Sequence, residues 1–255
     1  MATDSVKGTL GVAAALCIVC SVLVSGMAVG LKEKQDENRA LDIKKNILLS
    51  AGILTDDTSK EAIVRGYQKI KEVLINLKSG QVDTSFEVST FDANSVAKDP
   101  SARYLIPKDK DLAKIKVRAP QAKIYLVQTE EGLESLILPV HGKGLWSTLY
   151  GFITLDAHNL KVKGFAFYKH GETPGLGGEV DNPLWKASWI GKTVLDDSLK
   201  PVLKVVKTGA RLDTEVDALS GATITSVGVQ SLIHYWLGED GFGPFLASYK
   251  SGGIK

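Results

Sequence analysis

Cysteine disappears from this 255-residue sequence after Cys20. Cys17 and Cys20 are the only two, and both lie inside an uncharged apolar run where they read as small hydrophobes rather than as a redox or metal pair. The rest of the chain therefore has no disulfide, no thiolate metal site and no cysteine ligand for an iron–sulfur cluster. A surplus of charge is missing too: 31 Lys and Arg face 29 Asp and Glu, and a net +2 leaves no electrostatic footprint for nucleic acid. Histidine is scarce, four in all, with no local pair at metal-ligand spacing, so His141 and His170 read as loop hydrogen-bonding groups and no resident metal or catalytic pair is expected. No internal repeat appears. With 44% hydrophobic and 24% charged residues, the chain is neither disordered nor wholly embedded in lipid.

Charge is absent altogether from one stretch. Thr9 to Leu31 is a run of 23 uncharged residues rich in Ala, Val, Leu, Ile and Gly. As a helix it would be about 34 Å long, enough to cross a hydrocarbon core of roughly 30 Å. The competing reading is a cleaved signal peptide, suggested by the small residues around Ser25–Ala28, but the run is longer than a signal core and its basic leader amounts to Lys7. Lys32, Lys34, Arg39, Lys44 and Lys45 follow the span, and by the positive-inside rule they favour the cytoplasm for what comes after. No acidic residue lies within the span, so this helix alone offers no sodium pathway.

The expected organisation is a short N-terminal segment (1–8), a transmembrane helix (9–31), a membrane-proximal segment packed on the soluble domain (32–118), a compact α+β core (119–241) and a C-terminal tail (242–255). Residues up to Leu48 can continue the first helix beyond the span. Asp56 or Asp57 could cap another helix, in which Ile63, Tyr67, Ile70, Leu74 and Leu77 recur at three- and four-residue spacing and Gly80 is the stop. Strands are expected at Gln121–Thr129, Leu133–Val140, Leu149–Leu155 and Val162–His170, with a turn at Asp156–Asn159 and an extended piece at Pro201–Lys207. Val229, Leu232, Ile233, Trp236 and Leu237 form the stripe of a final helix ended by Gly238, with Thr225 and Ser226 placed to cap it.

Three segments could carry chemistry. Ser220-Gly221-Ala222-Thr223-Ile224-Thr225-Ser226 gathers four hydroxyls and a glycine before that helix, where free N–H groups and the helix dipole suit a phosphate. An ordinary Ser/Thr cap explains the same residues, and no Walker lysine or GxGxxG pattern points to a triphosphate or dinucleotide. The other two segments are His141-Gly142-Lys143-Gly144-Leu145-Trp146 and His170-Gly171-Glu172-Thr173-Pro174-Gly175-Leu176-Gly177-Gly178-Glu179. Their glycines allow close backbone approach, and Trp146 and Leu176 could pack on a planar ring. Glu172 could orient a ligand or merely solvate its turn, and Lys207 could neutralise a phosphate or sit on a solvated strand edge.

Together these residues resemble the C subunit of the bacterial sodium-translocating NADH:quinone oxidoreductase, a member of the FMN-binding domain family. The resemblance runs along nearly the whole chain: the single span, His141–Gly151, His170–Val180 and, most specifically, Asp217-Ala218-Leu219-Ser220-Gly221-Ala222-Thr223-Ile224-Thr225. It implies FMN attached through its phosphate to Thr225, with Thr223 the rival acceptor, delivered from FAD by a dedicated flavin transferase with divalent-metal assistance. It also implies a flavin pocket drawn from His141, Gly142, Gly144, Leu145, Trp146, Glu172, Thr173, Leu176, Gly177, Lys207, Ser220, Gly221, Ala222 and Thr223. The implied role is electron carriage in a six-subunit quinone-reducing sodium pump, from a membrane iron or iron–sulfur centre to a second covalent FMN in the large membrane subunit. The soluble domain would then lie on the periplasmic side of the inner membrane, against the charge count. Alternatives are the equivalent flavoprotein of a ferredoxin:NAD-type complex and a non-redox membrane-tethered binding protein.

Overall fold

The computed structural model describes residues 5–54 and 57–253. The chain divides into two compact units, Met1–Ile43 and Lys44–Lys255. From Val6 onward the first unit is helical. Its helix, α1 (Val6–Ser50), has an uncharged segment that is exposed throughout, and among the described residues it alone is long and apolar enough to cross a membrane.

The second unit takes in the last turns of α1, where the apolar periodicity resumes: Ile47 and Leu48 are fully buried. Helix α2 (Lys60–Tyr67) follows, capped by Ser59, whose side chain accepts from the Ala62 N–H. Asp57 instead accepts from the Ser59 N–H, and Asp56 lies outside the described residues. The helix expected to run on to Leu77 stops at Tyr67. From Ile70 the chain is a strand, β1 (Ile70–Asn76), and Gly80 belongs to the turn after it. The apolar spacing there fits either period, but Val73, Leu74 and Ile75 are buried in succession, which one helical stripe cannot achieve.

Helix α3 (Ala93–Lys98) and the short pair β2 (Tyr104–Leu105) and β3 (Val117–Arg118) lead into β4 (Gln121–Thr129), β5 (Gly132–Lys143), β6 (Thr148–Asp156) and β7 (Val162–Lys169). With β1 these make one antiparallel sheet in the order β1-β4-β5-β6-β7, in register through pairs such as Val73 with Ile124 and Leu138 with Ile153. The β6–β7 connection is held by the Asp156 carboxylate, which accepts from the His158 and Asn159 N–H groups. After a 3-10 turn (Gly177–Asp181) and α4 (Pro183–Ala187), a parallel pair forms from β8 (Lys204–Val206) and β9 (Glu215–Asp217).

Helix α5 (Thr223–Leu237) lies across β5 and closes the core. The approach is tight enough that a Cβ on Gly142 would lie 2.5 Å from Leu232 Cβ, and one on Gly228 would strike the Lys143 carbonyl. Within the segment after 242, α6 (Gly243–Lys250) sinks Phe245 and Leu246 completely into the same core as Trp189, Tyr235 and Phe242. Each such side chain contributes about 1.5–3 kcal/mol of burial.

Candidate functional site

Three chain segments converge at the N-terminal end of α5. The turn after β5 brings Gly144 to Ser147, the loop after β7 brings His170 to Gly177, and the first turn of α5 brings Thr225. At their meeting point is Glu172, 5% exposed. Its Oε2 accepts from Thr225 Oγ1 at 2.7 Å and from the Leu145 N–H at 3.1 Å. Its Oε1 accepts from the Trp146 N–H (3.1 Å), the Ser147 N–H (2.9 Å) and Ser147 Oγ (3.1 Å). Burial works against the charge, yet the bonds from Thr225 and the 145–147 backbone outweigh it and hold the carboxyl below its ordinary range. Glu172 therefore does not solvate its turn.

Glycine makes the convergence possible. A Cβ at Gly177 would lie 2.7 Å from Thr225 Oγ1 and 2.9 Å from Glu172 Oε2, and one at Gly144 would be 2.6 Å from Glu172 Oε1. The Thr225 hydroxyl is consequently shut in, its residue 1% exposed. The two segments that meet it carry exposed apolar side chains, Leu145, Leu176 and Trp146, the last at 68%. Leu176 reaches over Gly221, which takes the left-handed conformation (φ +69°). The loop is braced from outside, with the Glu172 N–H donating to His170 Nδ1 and His170 Nε2 paired with Asp181 at 2.8 Å.

Thr225 and Ser226 lie within α5 rather than ahead of it. The N-cap position is Ala222, which has no side chain to cap with, so the cap expected from Thr225 and Ser226 does not form. Ser226 Oγ accepts from the Leu219 N–H and donates to the Ala222 carbonyl, stitching the entrance of the helix together. Thr225, freed from capping, points its hydroxyl at Glu172. Ser220 and Thr223 are exposed, Ala222 is buried, and Thr173 is exposed on the loop that carries Glu172.

Gly142 and His141 both lie in β5 and meet residues of α5. Gly142 packs under Leu232. His141 stacks on Tyr150 (5.4 Å between ring centroids) and leans on Trp236 at 4.8 Å, within an aromatic layer that continues through Tyr168, Phe152 and Tyr125. Burial pushes its imidazole down to about 4, so it is neutral at physiological pH. Lys207 is exposed, one residue past the Val206 carbonyl that accepts from the Ala218 N–H. Ser147 escaped the sequence reading although its hydroxyl serves both Glu172 and, at 2.8 Å, the Gly171 N–H. Its only signal is a hydroxyl directly after a glycine-rich turn. Among the described residues no cluster of three or more His, Cys, Asp or Glu side chains is placed to hold a metal ion.

An aromatic and aliphatic rim beside a helix entrance fits a flat ring carrying a phosphate. Comparison with known proteins points the same way. The FMN-binding domain family matches residues 144–238, which span all three converging segments. The C subunit of the Na(+)-translocating NADH-quinone reductase of Pseudomonas aeruginosa is 45% identical over 98% of both chains. That of Yersinia pestis is 43% identical over 99% of this chain and 96% of its own. The crystal structure of NqrC from Shewanella oneidensis superposes with a TM-score of 0.77 at 36% identity, covering 85% of this chain and 99% of that one. The crystal structure of the corresponding reductase component from Parabacteroides distasonis gives a TM-score of 0.66 at 27% identity, covering 86% and 98%.

Proposed function

The chain belongs to the C-subunit family of Na(+)-translocating NADH-quinone reductases, and from that premise we propose that it carries one FMN esterified through its phosphate to Thr225. It is an electron-transfer subunit of an oxidoreductase complex, anchored by α1. The observation that carries the attachment is the placing of Thr225 Oγ1 in the first turn of α5, bonded to Glu172, where it meets the two segments that carry the exposed Leu145, Trp146 and Leu176. Thr223 also sits in that turn, but its side chain is exposed.

The bound flavin supplies the electron-transfer chemistry, and this chain's residues position and insulate it. The α5 entrance favours the negative charge of a phosphodiester. Trp146, Leu145 and Leu176 offer an apolar surface for a planar ring, and Lys207 is the cation proposed to offset the phosphate. A covalent link prevents loss of the carrier during turnover. Electrons are proposed to arrive from an iron or iron–sulfur centre in neighbouring subunits of a six-subunit assembly and to leave toward a second covalent FMN in the large membrane subunit. The domain would stand on the periplasmic side of the inner membrane, after maturation by a flavin transferase.

Purification from the native membrane tests the assignment. The chain should emerge with the sodium-pumping complex and should fluoresce yellow on a denaturing gel. Recovery with a ferredoxin:NAD-type complex would transfer it to that machine. A non-fluorescent native chain would leave only a tethered binding protein. Similarity over nearly the full length of the curated reductase relatives supports the first outcome.

A further inference from the structure

We propose that Glu172 is the base that activates Thr225 for flavin attachment, an inference that rests on Thr225 being the attachment residue. An alcohol is a weak nucleophile until a neighbouring group takes its proton. Thr225 Oγ1 is buried away from water, and its hydrogen bond runs to Glu172 Oε2 at 2.7 Å. That is the reach required of a general base. The carboxylate is also held in place independently of Thr225, by the three N–H groups of residues 145–147 and the Ser147 hydroxyl. Those bonds keep it ionised, so it stands ready to accept at neutral pH.

In the step proposed, Thr225 Oγ1 attacks the phosphorus on the FMN side of FAD. The Oγ1–P bond forms, the P–O bond to the bridging pyrophosphate oxygen breaks, and AMP departs with that oxygen. The hydroxyl proton passes to Glu172 Oε2 and then to water. No electrons change hands. Access to Oγ1 requires Gly177 to move aside, since it covers the hydroxyl in the closed arrangement. Glu172 can remain in place while it does, because its other bonds run to the 145–147 turn and not to Gly177. Gly175, two residues earlier and at φ +73°, lies in the stretch that has to swing.

The test uses the full-length chain, made without flavin and then incubated with a flavin transferase, FAD and Mg²⁺, with covalent FMN read on a denaturing gel and located by peptide mass. Glu172→Gln should lower the maximal attachment rate by about 10²-fold or more while leaving the KM for the chain near its wild-type value. The ratio of variant to wild-type rate should climb between about pH 6 and 9 as hydroxide replaces the missing base, a trend that a purely structural role would not produce. Glu172→Asp, which keeps a carboxylate, should attach faster than the Gln variant and guards against a Gln variant that fails to fold. Equal rates for wild type and Glu172→Gln, equal rates for the Asp and Gln variants, or a loss confined to KM would each overturn the proposal while leaving Thr225 as the acceptor. A wild-type chain that takes no FMN on Thr225 would overturn the attachment reading and this inference with it.

Discussion

The Thr225 hydroxyl is held between a carboxylate and a glycine, and both neighbours make it sensitive to small changes. At Gly177 a single methyl would press into Thr225 Oγ1 and Glu172 at once. Gly177→Ala is therefore expected to destabilise the chain by about 1–3 kcal/mol and to slow flavin attachment, as checked by urea unfolding and denaturing-gel fluorescence. His141 supplies a different test. Its folded value of about 4 lies below the ordinary 6.5, so the unfolded chain takes up a proton that the folded one refuses. The stability involved is fully present above 6.5 and is lost as pH falls toward 4, by about 1–3 kcal/mol. Urea unfolding across that range should show a flatter pH dependence for His141→Gln than for wild type. An unchanged slope would mean that the imidazole titrates normally. At this scale sequence reading went as far as the three segments. It could not tell that Glu172 would be buried, that Ser147 would bridge to it, or that His141 would turn into an aromatic layer, because each depends on which face a loop residue presents after the strands pair.

Among elements, the antiparallel sheet was legible because alternation and turn residues agree. Strand β4 has the bounds expected from its Val/Ile/Tyr run, and the Asp156–Asn159 turn falls where its side chains can bond its own backbone. Strand β1 was missed because Ile70, Leu74 and Leu77 also satisfy a helical spacing, and only pairing with β4 decides between the periods. Helix α5 was legible in its apolar stripe but begins earlier than expected, which moves Thr225 from cap to first turn. The α5–β5 contact relies on missing side chains. Gly142→Ala should force Leu232 away and cost about 1–3 kcal/mol, seen as a lower urea midpoint with unchanged slope. If the midpoint held, the tight packing of α5 on β5 would be disproved.

For the whole molecule, the division at Ile43 and Lys44 separates an exposed apolar helix from a unit with its own core. A chain beginning at Lys44 should stay soluble without detergent and unfold cooperatively, and aggregation of that fragment would show that the core needs the missing segment. Placement across the membrane sets two readings against each other, since the lysines after the span favour the cytoplasm and the function proposed above needs the opposite side. Protease added to intact spheroplasts should remove the C-terminal domain if it is periplasmic, whereas full protection would uphold the charge rule. The claim on which carrier function depends is narrower than any of these. The most direct measurement is the mass of the Thr225-containing peptide from chain purified from its native membrane. It should carry the added mass of FMN less one water, with fragmentation assigning it to Thr225; an unmodified peptide, or FMN on Thr223, would contradict it.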